Sequence, residues 1–301
     1  PPLVLHALLR GDAAHLTRWA QGLTLPSDRT TFFNFLASHD GIGLNPARGI
    51  LPEAEIEFLV ERCQAHGGFI NSKHNADGSK SPYEMNIVYF DAINDPAAAE
   101  PLELQARRFL VSQAILLALR GLPGIYFHSL FGSRNDREAA LRTGIKRRIN
   151  RQKCARSDLE SELIEAGSLR SLVFPRYRDL LEVRRRERAF HPRAGQAVLH
   201  IDPRVFALLR TPPGGGGSVL CLHNLSNAVV PADFEIDGVG QGESWSNLLD
   251  EHATPLSNLS RLSLSLQPYA VLWLKLHCAS PSEAKNEAKN DCLARDTAPR
   301  L

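Results

Sequence analysis

Apolar positions recur at helical spacing in long segments before about residue 194 and alternate in short segments after it. The strongest helical signal spans 101–120. There Leu104, Phe109, Ala114, Ile115, Leu116, Leu117 and Leu119 leave few polar faces, as in a helix pressed onto a sheet. A shorter helix is predicted over 52–62, with Pro52 at its start and acids in its first turn. Another is predicted over 13–20, entered through Asp12 and stopped by Gly22. Ser157 and Glu160 stand at capping-box spacing and predict a small helix. Residues 169–187 form a long amphipathic pattern, interrupted or kinked at Pro175, with arginines toward the end that suits cations.

Strand-like segments punctuate these helices. Residues 31–38 are aromatic, apolar and small, without charge, and predict a buried strand. His39 and Asp40 follow, then Gly41 and Gly43. Residues 125–128 predict a second short buried strand, ending in His128. A strand, a long connection, a helix and a strand make the parallel βαβ rhythm. The connection itself carries strand-like pieces over 69–90 around a polar turn at 75–79. From 194 the segments 197–201, 205–209, 218–223, 234–236 and 269–276, separated by Pro, Gly and Asn turns, predict a small antiparallel β-sandwich. Beyond 278 the chain is polar and near-repetitive, and predicts a disordered tail over 279–301.

Composition narrows the classes. Of 301 residues, 43% are hydrophobic and 23% charged, and the formal net charge of +2 favours neither a nucleic-acid nor a membrane-surface partner. No apolar run approaches the roughly 20 residues needed to span a bilayer. Five scattered cysteines with no C-x-x-C pair predict a reducing, cytoplasmic setting without a disulfide scaffold or structural zinc. The chain opens on Pro1 and Pro2 rather than Met, which suggests a segment of something longer.

Candidate chemistry is sparse. The glycines at 214–217 lack a preceding strand and following helix for a phosphate loop, and predict a hairpin loop. The arginines at 184–188 have no alternating aromatics to stack bases and predict a solvated helix face. His39, His66, His74 and His128 match no metal spacing, so neither a metal nor another cofactor is expected. Ser38, His39 and Asp40 are adjacent, the wrong arrangement for a triad. A carboxylate at a strand exit remains, readable either as chemistry or as an Asp closing a turn. Tyr, Glu and Arg in the neighbouring connections would suit a sugar site.

The run Phe-Leu-Ala-Ser-His-Asp-Gly-Ile-Gly at 35–43 resembles the seventh-strand region of α-amylase-family glycoside hydrolases. Pro-Tyr-Glu-Met-Asn at 82–86, Tyr-Phe-Asp-Ala at 89–92 and Arg-Ile-Asn-Arg at 148–151 narrow the resemblance to the sucrose-phosphorylase-like subfamily, in order, to about Leu276. The resemblance implies an α/β fold: the C-terminal part of a (β/α)8 TIM barrel over 1–193, with an inserted subdomain over 41–97 after the seventh strand, then an antiparallel β-sandwich over 194–278. It implies that Asp40 stabilises the transition state, that His39 and Arg147 bind the glucosyl unit, and that Tyr83 and Glu84 shape the acceptor and phosphate side. The partners would be an α-glucoside and inorganic phosphate, and the reaction a retaining phosphorolysis.

Two departures stand out. Glu84 occupies a position where sucrose phosphorylases are expected to carry Gln, which leans toward glucosylglycerate or glucosylglycerol. The family's nucleophilic Asp and acid/base Glu have no matching motif here, so the chain alone is expected to be inactive and poorly soluble. A same-family hydrolase or transglucosidase, and a non-catalytic sugar-binding remnant, stay open as alternatives.

Overall fold

The computed structural model describes residues 1–236, 244–250, 256–257 and 261–277. The expected tail over 279–301 lies outside them. In chain order come α1 (Pro2–Arg10), α2 (Ala14–Gln21), β1 (Phe33–Asn34), β2 (Ile42–Gly43), α3 (Glu53–Ala65), β3 (Phe69–His74), β4 (Lys80–Asn86), α4 (Tyr89–Ile93) and α5 (Leu102–Ala118). Then follow β5 (Leu122–Pro123), α6 (Phe127–Leu130), α7 (Arg137–Thr143), a 3-10 turn (Lys146–Asn150), α8 (Arg156–Ile164) and α9 (Leu169–Arg186). The remainder is strand: β6 (Gly195–Leu199), β7 (Val205–Thr211), β8 (Val219–Asn224), β9 (Val230–Glu235), β10 (Ser244–Asn247), β11 (Leu256–Ser257), β12 (Arg261–Leu266) and β13 (Val271–His277).

Helix α5 sits at the centre. Every residue from Arg108 to Ala118 is buried, because α9 covers one side and strands β7 and β8 another. Its polar residues are answered locally: Tyr177 on α9 donates its hydroxyl to Gln113 at 2.8 Å. Helix α9 runs through Pro175 without a break.

The C-terminal strands form a six-stranded antiparallel sheet, in the order β11-β10-β13-β8-β7-β6, and a two-stranded sheet, β12-β9. Side chains alternate along a strand. Phe206, Leu208, Cys221 and Trp273 therefore point toward the helices, while Val205, Ala207, Leu220, Leu222 and Leu274 share a second core with Val230, Ala232, Leu262 and Leu266 of β9 and β12. Strand β8 is buried at every position: 219–222 read as an apolar run, and His223 and Asn224 are buried with hydrogen-bond partners in Phe206 O and Leu266 O. Strands β10, β11 and β12 were not among the predicted segments. The glycines at 214–217 lie in the loop between β7 and β8, as expected.

Several expectations are corrected. The predicted buried strand at 31–38 reduces to β1, and of those eight residues Leu36 alone is buried. Phe33 is 68% exposed and Phe35 44%, because β5 is the one strand that pairs with β1 among the described residues, in parallel, with Leu122 N–H donating to Phe32 O at 2.8 Å. The second predicted strand lies earlier than 125–128. Gly121 has φ 136 and no side chain, and a Cβ there would lie 2.7 Å from Phe32 O. Pairing therefore starts at once after α5, and Phe127 already opens α6. Ser157 does not cap α8: its hydroxyl donates to Asp158, and Glu160 is taken by Arg156 at 2.7 Å. Tyr89 and Phe90 start α4 rather than continuing a strand. The arginine run is only partly solvated, since Arg184 donates to Leu117 O and to Gly121 O, and burial pushes its pKa down to about 10.

His223 on β8 is fully buried and held at 2.9 Å from Phe206 O, and burial pushes its pKa down to about 4. The unfolded chain takes up a proton near pH 6.5 that the folded chain refuses until about pH 4. Stability from this group is complete above pH 6.5 and lost as pH falls through that window. Between pH 7.5 and 4.5 the loss amounts to about 2.5 kcal/mol. Urea unfolding at the two pH values checks it: His223→Gln should reduce the drop by about that amount.

Candidate active site: a carboxylate held by two guanidiniums

Asp40 lies in the loop leaving β1, directly before β2. Its carbonyl accepts from Asn150 Nδ2 at 3.2 Å, and its N–H donates to Ser38 Oγ at 3.1 Å. Its carboxylate is half-exposed and meets three basic side chains. Oδ1 lies 3.0 Å from Arg147 Nη1, 3.2 Å from Arg151 Nη2 and 3.7 Å from His39 Nε2. Arg147 lies within the 3-10 turn and Arg151 directly follows it with φ -131, and both reach the same carboxylate oxygen. The turn is anchored from beneath by buried Ile149 and Asn150, and Tyr126 donates its hydroxyl to Asn150 O at 2.6 Å. Burial pushes the Tyr126 phenol up, and the Asp40 charge adds to this while Arg151 opposes it.

Glu84 supplies the second anion. It is 5% exposed on β4 and accepts from Arg147 Nη2 at 2.9 Å, Arg147 Nε at 3.3 Å, Asn71 Nδ2 at 2.8 Å and Gly41 N–H at 3.2 Å. Its hydrogen bond to Arg147 is the largest of the effects that raise the guanidinium pKa, with the charges of Glu84 and Asp40 adding. Gly41 is required by proximity: a Cβ there would lie 2.4 Å from Met85 O and 2.7 Å from Glu84 Cγ. The two carboxylates and two guanidiniums balance.

The structure thus gathers Asp40, His39, Arg147 and Glu84 into one cluster. His39 is exposed, and its carbonyl accepts from Arg151 Nε at 2.8 Å. Tyr83 precedes Glu84 on β4 and stands half-buried at the cluster's edge. Sequence reasoning missed Arg151, Asn71, Asn150 and Tyr126. Arg151 was findable, since it ends the Arg-Ile-Asn-Arg run. The apolar hollow lined by Leu3, Trp19, Phe33, Phe35 and Leu116 is a separate feature that does not include Asp40. A half-exposed carboxylate anchored by two guanidiniums can accept sugar hydroxyls or face a developing cation. Among the described residues no group of three His, Cys, Asp or Glu side chains is arranged to hold a metal ion, and no helix is long and apolar enough to cross a membrane.

No family model matches the chain. It is 44% identical over 285 residues to the glucosylglycerate phosphorylase of Spirochaeta thermophila, covering 91% of this chain and 47% of that protein. The glucosylglycerate phosphorylase of Escherichia coli K12 is 40% identical over 278 residues, with the same two coverages. The chain spans about half the length of these relatives. Among solved structures, sucrose 6F-phosphate phosphorylase from Thermoanaerobacter thermosaccharolyticum superposes with a TM-score of 0.61 at 20% identity, over 79% of this chain and 44% of that one. At that identity the likeness shows a shared fold.

Proposed function

We propose, for a chain that belongs to the sucrose-phosphorylase-like subfamily of the α-amylase family and matches its C-terminal portion, that the Asp40 cluster is the substrate-holding part of a retaining glycoside phosphorylase. The observation that carries this reading is the half-exposed Asp40 carboxylate, held through Oδ1 by Arg147 and Arg151. In the whole enzyme a carboxylate attacks the anomeric carbon of an α-glucoside and expels the acceptor, giving a β-glucosyl-enzyme. Phosphate then displaces the enzyme carboxylate from the same carbon, and the second inversion gives α-glucose 1-phosphate. In this reading the attacking carboxylate and the acid/base come from a part of the enzyme that this chain does not match.

Asp40 lowers the energy of the oxocarbenium-like transition state, and His39 and Arg147 bind the glucosyl unit. Tyr83 defines the acceptor and phosphate side. The relatives named as glucosylglycerate phosphorylases support glucosylglycerate as the donor. In this reading residues 1–193 are part of a (β/α)8 barrel with 41–97 inserted, and 194–278 are the C-terminal β-domain.

Complementation tests it. Co-expressed with the unmatched N-terminal half of the Spirochaeta thermophila enzyme, the chain should release glucose 1-phosphate from glucosylglycerate only when phosphate is present. The chain alone should release none. Free glucose at a rate indifferent to phosphate would make it a hydrolase instead.

A further inference from the structure

We propose that Glu84 is a positioning residue, which locks the Arg147 guanidinium against Asp40 from the buried side and does not itself touch substrate. The proposal rests on the reading of Asp40 given above. Four donors converge on the Glu84 carboxylate: two N–H groups of Arg147, the amide of Asn71 and the backbone N–H of Gly41. With its side chain 6% exposed, little of the carboxylate remains for a ligand. The same carboxylate grips Asp40 from two directions, through Arg147 on its side chain and through Gly41 on its backbone.

Packing makes this grip stiff. Gly43 pairs with Glu84 and Ile42 with Met85, so the chain leaving Asp40 is laid directly against β4. Strand β4 is in turn paired with β3, which supplies Asn71 opposite Glu84. A charge-assisted, two-pronged contact between carboxylate and guanidinium fixes orientation as well as distance. Arg147 presents Nη1 to Asp40 and its Nε and Nη2 edge to Glu84, so one planar group spans both anions. A glutamine at position 84 could still accept from Gly41 and Asn71. It could not supply the charge that keeps Arg147 in place.

Hydrogen exchange of the Arg147 Nε–H, read by nitrogen-15 NMR on the 301-residue chain, tests the lock directly. In the wild type and in Asp40→Asn the exchange should be slow. In Glu84→Gln and Glu84→Ala it should be at least about tenfold faster. Exchange that speeds up in Asp40→Asn and not in Glu84→Gln would overturn the proposal, because Asp40 would then be what holds Arg147. The Asp40→Asn arm decides this even where the Glu84 variants do not fold.

The complemented enzyme gives a second readout. Glu84→Gln should lower kcat by the same factor for phosphorolysis of glucosylglycerate and for its synthesis from glucose 1-phosphate and glycerate, because Asp40 acts on the glucosyl unit common to both. A loss confined to one direction, or to the KM for phosphate, would assign Glu84 a direct contact and overturn the positioning role. Absence of phosphorolysis in the complemented wild type would defeat the functional reading, and the exchange measurement would still decide the lock.

Discussion

Asp40→Asn in the complemented enzyme is expected to lower kcat about a thousandfold while moving the KM for glucoside and phosphate by no more than about threefold. Asparagine keeps the side-chain shape, and its oxygen can still accept from Arg151. What goes is a full negative charge next to the place where the glucosyl ring becomes cationic. At an effective dielectric of about 20, a unit charge about 5 Å from a developing cation contributes about 3 kcal/mol, which is more than a hundredfold in rate.

A second effect has the same sign. Once Asp40 is neutral, Arg151 loses its partnered anion and Arg147 keeps only Glu84, so net positive charge is left facing the glucosyl unit. That charge opposes an oxocarbenium-like transition state more than the neutral ground state, and so acts on kcat rather than on binding. Steady-state kinetics at varied phosphate and glucoside, with an unchanged thermal melt as a control for folding, checks it. A rise in KM at constant kcat would reduce Asp40 to a ground-state hydroxyl contact.

Parts of this architecture follow from local pattern. The apolar run of α5 and the double-sided burial of β8 follow from residue types that suit few other environments. The polar turn at 75–79 is closed by Asp77 and Ser79, as its composition implies. The aromatic stretch around β1 is different. Phe33 and Phe35 have the composition of a buried strand, but their burial depends on neighbouring strands, and local sequence carries no record of which strands are paired.

The site shows the same division. Residue types and the H-D motif marked Asp40, and the family pattern marked Arg147. The contact between Asp40 and Arg151, 111 positions apart, is a product of the fold. Glu84 shows the limit most sharply. Its position on β4 was legible, but its direction was not, because a carboxylate beside a cleft and one buried under an arginine look alike in sequence. Strand β12 was legible and overlooked: Leu262, Leu264 and Leu266 alternate with serines. The segment predicted at 205–209 stops two residues short of the end of β7. The structure extends β7 to Thr211 with Arg210 wholly inside.

That arginine carries the second large effect. Arg210→Ala is expected to destabilise the fold by about 3–5 kcal/mol, and Arg210→Met by roughly half as much. Its guanidinium donates to Ala118 O, to Gly195 O at 3.0 Å and to His191 O at 3.4 Å, with carbonyls in the place of a carboxylate. Burial pushes its pKa down to about 10, with the nearby Arg184 and Arg120 charges in the same direction. Ala118 is the last residue of α5, where helix carbonyls have no partner within the helix, and the negative end of the dipole favours a cation. Arg184 meets the same need one residue earlier, at Leu117 O. Alanine would leave three carbonyls without this donor and open a cavity between β7 and α5. Methionine fills the space and removes the desolvation cost of the charge, so the difference between the two variants separates packing from capping. Urea midpoints at unchanged m-value measure it. If Arg210→Met matched the wild type, the three hydrogen bonds would no more than offset the burial of the charge, and the end of α5 would be held by Arg184 alone.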